Sequence, residues 1–231
     1  GSWLQYSTVR RISSMSENEI TGATGPKTSS RNAGVSWADP AKQNKPAAWA
    51  AHSFEQLQQD VYEHTRATMQ LLKDNGIAPE WVQVGNEIPN GMLWPDGRST
   101  TNFAQLSQLL NKGYDAVKAV SPQSKVIVHL DRGNNSKLYR WFFDQHRANG
   151  GRYDVIGMSY YPFWLKQNYK QNIDSLRLNM LDMTQRYGKE VVVAEVGGVD
   201  TIQIRPMAYV SLTIDHRVVD GHQTNAWLET F

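Results

Sequence analysis

The chain has 231 residues, 40% of them hydrophobic, which is enough to bury the core of one sizeable domain. Its 24 basic and 22 acidic residues give a net charge of +2 without a long basic run, which argues against a nucleic-acid partner. The absence of cysteine excludes disulfides and thiolate chemistry, and no apolar stretch approaches the ~18 residues that would cross a membrane.

The first 34 residues differ from the rest of the chain. Residues 21–34 (TGATGPKTSSRNAG) are small, polar or glycine, and offer little apolar surface to offset the entropy lost on ordering. We therefore expect residues 1–34 to be a disordered or atypical segment, residues 35–199 to form the main domain, and residues 200–231 to form a distinct C-terminal segment.

Helices and strands alternate from Ser53 onwards. The first helix begins at Ser53, with Gln56 in the matching capping-box position, and ends at Asn75 and Gly76. Further helices are predicted at residues 102–120, 137–149 and 174–187, and strands at residues 81–85, 125–130, 153–161 and 191–196. This alternation predicts an α/β fold with a parallel sheet, either a (β/α)8 barrel or a doubly wound sheet.

Polar side chains stand where the predicted strands end. Because the carboxyl ends of parallel strands form one face, we expect convergence of the groups at these ends: Asn86, Glu87, His129, Asp131, Tyr160, Tyr161 and Glu195. Two carboxylates from non-adjacent strands are what glycoside hydrolysis requires, and Glu87 and Glu195 are the candidates. The alternative for each is a structural salt bridge or a helix cap.

Aromatic residues in the strand-end loops are suited to stacking on sugar rings: Trp94, Tyr160, Tyr161, Phe163 and Trp164. Packing is the alternative for at least two of them. His129 is equally compatible with orienting a substrate group and with a buried structural role. Asp131 has no partners at metal-ligand spacing and no strand is followed by a nucleotide-binding loop, so neither a metal nor a cofactor is expected.

Five ordered motifs resemble glycoside hydrolase family 53, the endo-β-1,4-galactanases: WADPAKQNKPAAW, VQVGNEIPNGMLWPDG, KVIVHLDRG, YDVIGMSYYPFW and VVVAEV. The resemblance implies a (β/α)8 barrel and retaining hydrolysis of β-1,4-galactan, with Glu87 as acid/base and Glu195 as nucleophile. It also implies that Asn86 contacts the sugar 2-hydroxyl and that either Tyr160 or Tyr161 is held against the nucleophile. Trp94, Asp131 and Trp164 are further expected substrate contacts.

The chain departs from this family at both ends. Only 36 residues precede the first motif where the family has about three βα units, so we expect a barrel that is incomplete or rebuilt at its termini. An extracellular or periplasmic location is what the family resemblance implies.

Residues 202–231 resemble instead the C-terminal end of the dihydrolipoyl acyltransferase catalytic domain, through the motif DHRVVDG. That resemblance implies His216 as a general base supported by Asp220, in what would be a chimera of two families. Two alternatives to a glycosidase therefore stay open, an acyltransferase-like fragment and an inactive carbohydrate-binding barrel fragment.

Overall fold

A computed structural model describes residues 4–7, 41–165 and 169–197. The strands are β1 Leu4–Ser7, β2 Trp81–Val84, β3 Gly91–Met92, β4 Gly97–Arg98, β5 Lys125–Leu130, β6 Val155–Tyr160 and β7 Glu190–Val196. The helices are α1 Phe54–Asp74, α2 Phe103–Val120, α3 Ser136–Ala148 and α4 Tyr169–Tyr187, and short 3-10 turns occupy Ala47–Trp49 and Pro162–Leu165.

One sheet of five strands, in the order β1-β2-β5-β6-β7, organises the described residues. The last four strands are parallel neighbours, whereas β1 pairs antiparallel with β2. Successive parallel strands lie side by side with helices between them in sequence, and this is consistent with part of a (β/α)8 barrel. The predicted fold class is confirmed.

Helix α1 shows why the sequence pattern was informative. The Ser53 hydroxyl accepts a hydrogen bond from the Gln56 backbone N–H, and the Ser53 N–H donates to the Gln56 side chain at 2.8 Å, which confirms the capping box. Five residues at helical spacing are buried: Leu57, Val61, Thr65, Met69 and Leu72. These residues pack on one side of the helix. The apolar residues therefore recur about every 3.6 positions in the sequence because that side is buried.

The two sides of the sheet have different environments. The helix-facing side carries the main core, with Val82 from β2, Val126 from β5 and Met158 from β6 packed with aromatic residues of α3. The opposite side carries Trp81, Ile127, Val155 and Val192. Since side chains alternate along a strand, His129 and Ser159 fall on this second side, which in a barrel is the interior.

The structure corrects the prediction in two places. Helix α4 begins at Tyr169 rather than Asp174, and residues predicted as loop after β2 contain the β3–β4 hairpin. Strands of two residues are too short to show a period, so the hairpin left no pattern in the sequence. The predicted disordered character of residues 1–34 and the predicted C-terminal segment, with His216 and Asp220, lie almost entirely outside the described residues.

A buried histidine links α2 to α3. His146 is fully buried, its Nδ1 lies 3.0 Å from the Ser107 hydroxyl, and its Nε2 has no hydrogen-bond partner within the described residues. Burial lowers the pKa of His146 to about 4. Between pH 6.5 and 4 the unfolded chain therefore binds a proton that the folded chain does not, so this group makes stability fall as the pH falls through that window.

We expect His146→Gln to remove that share of the pH dependence. In wild type the free energy of unfolding should drop by about 2 kcal/mol from pH 7 to pH 5 on account of this residue. Urea unfolding curves at the two pH values measure the drop. An unchanged drop in the variant would show that His146 titrates in the folded protein as it does in the unfolded chain.

Candidate active site

The turn after β2 gives Glu87 a constrained position. Gly85 and Glu87 both have positive φ, +78° and +46°. Ile88, completely buried, anchors the turn, and its N–H donates to the carbonyl of His129 at 3.0 Å. A Cβ at Gly85 would lie 2.9 Å from Cγ2 of Ile88, so the tight approach requires glycine. Left-handed backbone at a glutamate is uncommon and is characteristic of functional sites.

Two glutamines hold Asn86. The Gln83 side-chain nitrogen donates to Oδ1 of Asn86 at 2.9 Å, and the Gln43 side-chain nitrogen donates to the Asn86 carbonyl at 3.0 Å. Because Oδ1 of Asn86 faces Gln83, the amide nitrogen of Asn86 is directed away from Gln83.

Sequence reasoning missed both glutamines. Period-2 alternation on β2 could have placed Gln83, but nothing in the sequence links Gln43 to a turn 43 residues away.

The β3–β4 hairpin positions Trp94 beside this turn. The Trp94 N–H donates to the Gln43 carbonyl at 2.7 Å, and the indole nitrogen donates to the Asn90 carbonyl at 2.9 Å. The Arg98 guanidinium lies 4.1 Å from the ring centroid and covers one ring face. The side chain is partly exposed, so a flat apolar surface stands next to the Asn86–Glu87 turn.

Glu195 is placed by an irregular strand register. Met158 pairs with Val193, but Ser159 pairs with Glu195, so one residue of β7 is skipped. This shift puts Glu195 on the side of the sheet that carries Ser159 rather than the helices. The Tyr161 hydroxyl donates to Oε2 of Glu195 at 2.8 Å.

Tyr160 and Tyr161 face opposite sides, as strand alternation requires. Tyr160 is 4% exposed and its hydroxyl donates to the side chain of Asn172 on α4. Tyr161 is the residue beside Glu195, so the open choice between the two tyrosines is resolved by the geometry. The expectation that Tyr160 contacts substrate is corrected, because that side chain packs between the sheet and α4.

The tyrosine pair yields a matched test. If Glu195 serves the hydrolysis that the family resemblance implies, Tyr161→Phe should lower that activity by about 10- to 100-fold, since Glu195 loses a hydrogen bond from the partner that orients it. The unfolding midpoint should stay near that of wild type. Tyr160→Phe should instead lower the midpoint and leave the activity of folded protein intact. Assays and urea melts of both variants check this. Equal behaviour of the two variants would contradict the assignment.

His129 lies near the C-terminal end of β5 and Asp131 follows the strand, and the two side chains have different environments. His129 is completely buried, its Nε2 lies 2.8 Å from the Ser159 hydroxyl, and burial lowers the pKa of its imidazole to about 3. These contacts fit the structural alternative, but the Nδ1 atom of His129 is buried without a hydrogen-bond partner within the described residues, and the expected substrate contact stays a prediction. Asp131 is partly exposed, and the Arg132 Nε donates to its Oδ1 at 3.0 Å. Burial raises the pKa of Asp131, and Arg132 opposes the rise.

Some of the predicted site residues lie outside the part of the chain that the structure describes. The side chain of Trp164 and residues His216 and Asp220 lie outside them. Across residues 41–165 and 169–197, no cluster of three or more histidine, aspartate or glutamate side chains has the arrangement of a metal site. In the same part of the chain, no helix combines the length and apolar character needed to cross a membrane.

Two family descriptions match the chain. Glycosyl hydrolase family 53 matches residues 35–205, which is 171 of the 231 residues. The catalytic domain of the 2-oxoacid dehydrogenases acyltransferase matches residues 181–231, a stretch of 51 residues that lies mostly outside the described residues. The second match is short and overlaps the first.

Individual relatives agree with the longer match. Over 166 residues the chain is 40% identical to an uncharacterized protein of Niallia circulans, covering 69% of this chain and 44% of that protein. It is 36% identical to the arabinogalactan endo-β-1,4-galactanase of Humicola insolens, covering 69% and 48%. The solved family 53 catalytic domain of Ignisphaera aggregans superimposes with a TM-score of 0.63 at 39% identity, covering 69% and 42%. The chain spans about half the length of the curated relatives it matches, and it belongs to glycosyl hydrolase family 53.

Proposed function

We propose that this protein hydrolyses β-1,4-galactan as an endo-acting, retaining glycosidase that uses Glu87 and Glu195. The observation that carries the proposal is the placement of Glu195 by the irregular β6–β7 register and its hydrogen bond from Tyr161, on the interior side of the sheet. Family membership and the named galactanase relative support galactan as the substrate.

Glu195 acts as the nucleophile. Its Oε2 accepts the Tyr161 hydrogen bond, so the carboxylate is held with Oε1 as the oxygen presented to the substrate. Gly197 allows this contact, because a Cβ there would lie 2.7 Å from the Tyr161 ring, and the Gly197 N–H donates to the Tyr160 carbonyl at 3.1 Å. A carboxylate fixed from two neighbouring strands keeps its attack geometry without further ordering.

Glu87 acts as the acid and base. Strands β5 and β6 separate β2 from β7, and three steps of ~4.8 Å would place the two strand ends about 14 Å apart in a flat sheet. Retaining hydrolysis needs carboxyl groups about 5 Å apart. The mechanism therefore depends on curvature of the sheet, which is what a barrel provides and what turns strand-end side chains towards one another.

The reaction proceeds in two balanced displacements. Glu195 attacks the anomeric carbon while Glu87 gives its proton to the departing glycosidic oxygen, which forms a galactosyl ester on Glu195. Glu87 then takes a proton from water, whose oxygen attacks the same carbon and releases Glu195. Asn86 donates to the 2-hydroxyl through the amide end directed away from Gln83. The partly exposed ring of Trp94 stacks on a neighbouring galactose.

The experiment is digestion of β-1,4-galactan followed by proton NMR during the first minutes. We expect internal cleavage and a first product in the β-configuration, before mutarotation. Release of the α-anomer would reject the two-displacement mechanism. Binding of galacto-oligosaccharides without any hydrolysis would reject the enzyme and favour a carbohydrate-binding role.

A further inference from the structure

We propose that Gln43 is a positioning residue that couples sugar binding at Trp94 to proton transfer at Glu87. The inference rests on the proposed function, in which Trp94 stacks on a galactose and Glu87 serves as acid and base. Gln43 is only 4% exposed. It therefore acts through the two segments that it holds, and not by contact with the substrate.

Gln43 is hydrogen-bonded to both segments at once. Its side-chain nitrogen donates to the carbonyl of Asn86, the residue before Glu87, at 3.0 Å. Its own backbone carbonyl accepts from the Trp94 backbone N–H at 2.7 Å. One residue from a remote part of the chain thus holds both ends of the stretch 86–94. The separation between the turn that carries Glu87 and the ring of Trp94 is fixed from outside that stretch.

The residues after Gln43 keep it on the β3–β4 hairpin. Asn44 forms a parallel bridge with Trp94, and the Lys45 ammonium lies 2.9 Å from the Asp96 carboxylate. The two charged side chains are only 12% and 22% exposed, so solvent screens their attraction less than that of a fully exposed pair. Residues 43–45 therefore follow the hairpin loop, and the Gln43 side chain extends from this loop to the turn.

The bond from Gln43 to the turn is shielded from water. Asn86, like Gln43, is only 4% exposed, so water cannot readily replace a donor that is removed there. Glu87 follows with φ +46°, a conformation that persists only where the surroundings support it. Hydrogen bonds that involve Gln83 and Ile88 join the same turn to strands β2 and β5. The Gln43 bond instead joins the turn to the segment that bears Trp94.

This connection predicts how the rate depends on substrate length. A galactose stacked on Trp94 restrains the hairpin loop, and Gln43 passes that restraint to the turn that carries Glu87. Binding energy from a remote sugar then orients the acid, so a substrate long enough to reach Trp94 should have a higher kcat as well as a lower KM. Without the Gln43 bond, stacking should still lower KM but no longer raise kcat.

Gln43→Met tests this prediction, because methionine keeps the length of the side chain, lacks the donor and leaves the backbone bond to Trp94 in place. The measurement is kcat and KM for β-1,4-galacto-oligosaccharides of increasing length. The sugar that reaches Trp94 should raise kcat about tenfold in wild type and less than about twofold in the variant. Trp94→Ala should likewise lower kcat for long substrates about tenfold in wild type but less than about twofold in Gln43→Met. The same dependence of kcat on length in both proteins would overturn the inference.

Lys45→Gln is a second variant at a more exposed position, and it serves if Gln43→Met does not fold. It loosens residues 43–45 from the hairpin, so the rise of kcat with substrate length should again be smaller than in wild type. An unchanged rise in Lys45→Gln would count against the inference. Asn111→Ala is the matched control, since the Asn111 side chain also donates to a backbone carbonyl at 3.0 Å, that of Gly150. Gly150 precedes β6 and so lies at the opposite end of the strands from Glu87. This control should keep the wild-type dependence on length.

Amide hydrogen exchange of the full chain, followed by NMR, measures the connection without turnover. The Ile88 N–H, which anchors the turn, should exchange about tenfold faster in Gln43→Met than in wild type, and at the wild-type rate in Asn111→Ala. An unchanged Ile88 rate in Gln43→Met would overturn the inference. A wild-type protein that does not hydrolyse galactan would reject the proposed function alone, because the exchange rates still show whether Gln43 holds the turn.

Discussion

Glu195→Gln should lower the rate of galactan hydrolysis by at least about a thousandfold. The amide oxygen is a far weaker nucleophile than a carboxylate, so the first displacement loses the group that forms the covalent intermediate. The fold should survive, because glutamine keeps the shape of the side chain and can still accept the Tyr161 hydrogen bond. Reducing-end assays together with urea melts measure both quantities.

Glu190→Gln provides the control on the same strand. Glu190 begins β7, at the opposite end from Glu195, and bonds Lys125 at 2.5 Å with about two fifths of each side chain exposed. Loss of such a surface pair alters stability by about 1 kcal/mol at most and should leave the activity unchanged. If Glu190→Gln and Glu195→Gln lose activity alike, the loss reflects damage to β7 and not to the nucleophile.

The anomer of the galactosyl azide formed by each variant distinguishes the roles of the two glutamates. With Glu195→Gly, azide can occupy the space of the missing carboxylate and attack an activated β-galactoside directly, which yields an α-galactosyl azide. With Glu87→Ala, azide intercepts the ester on Glu195 and yields the β-galactosyl azide. The same azide anomer from both variants would contradict the assigned roles.

Gly91→Ala should destabilise the protein by at least about 3 kcal/mol. Gly91 has φ +87°, and an alanine Cβ would lie 1.9 Å from the Gly97 carbonyl oxygen and 2.7 Å from the Ser99 nitrogen. No side chain can yield there, because both neighbours are backbone. The hairpin that carries Trp94 would have to open, so affinity for galacto-oligosaccharides should fall together with the free energy of unfolding.

Gly150→Ala is the control that measures the effect of backbone strain without the steric clash expected at Gly91. Gly150 also has positive φ, +69°, but nothing lies within 4 Å of the position that its Cβ would take. Its replacement should lower the free energy of unfolding by only about 1 kcal/mol, from strain alone. Urea unfolding of the two variants compares them. Equal losses would show that the hairpin tolerates the added carbon.

The helices and parallel strands were predictable because burial on one side imposes a period on the sequence. Ser53 and Gln56 marked the start of α1, and the runs at β5, β6 and β7 were apolar enough to be recognised as buried strands. The predicted strand at residues 81–85 placed Glu87 at a strand end. Local patterns therefore gave the order of the elements and located one end of the site.

Contacts between distant segments were not predictable from those patterns. Alternation restricted the choice to Tyr160 or Tyr161, but only the skipped residue in β7 determines which of them meets Glu195. Period-2 reasoning gave His129 a position without showing that it would be buried and hydrogen-bonded to Ser159. Gln43 contacts Asn86 and Trp94 across more than 40 residues, and a single sequence carries no signal for such a contact.

The proposed role of Glu195 as the nucleophile can be tested by trapping the covalent intermediate. A 2-deoxy-2-fluoro galactobioside with a good leaving group slows both displacements but slows the second more, so the ester accumulates. Mass spectrometry of peptides from the inactivated protein should find the disaccharide on Glu195, with slower inactivation in Tyr161→Phe. A label on any other residue, or continued galactan hydrolysis by fully labelled protein, would contradict Glu195 as the nucleophile.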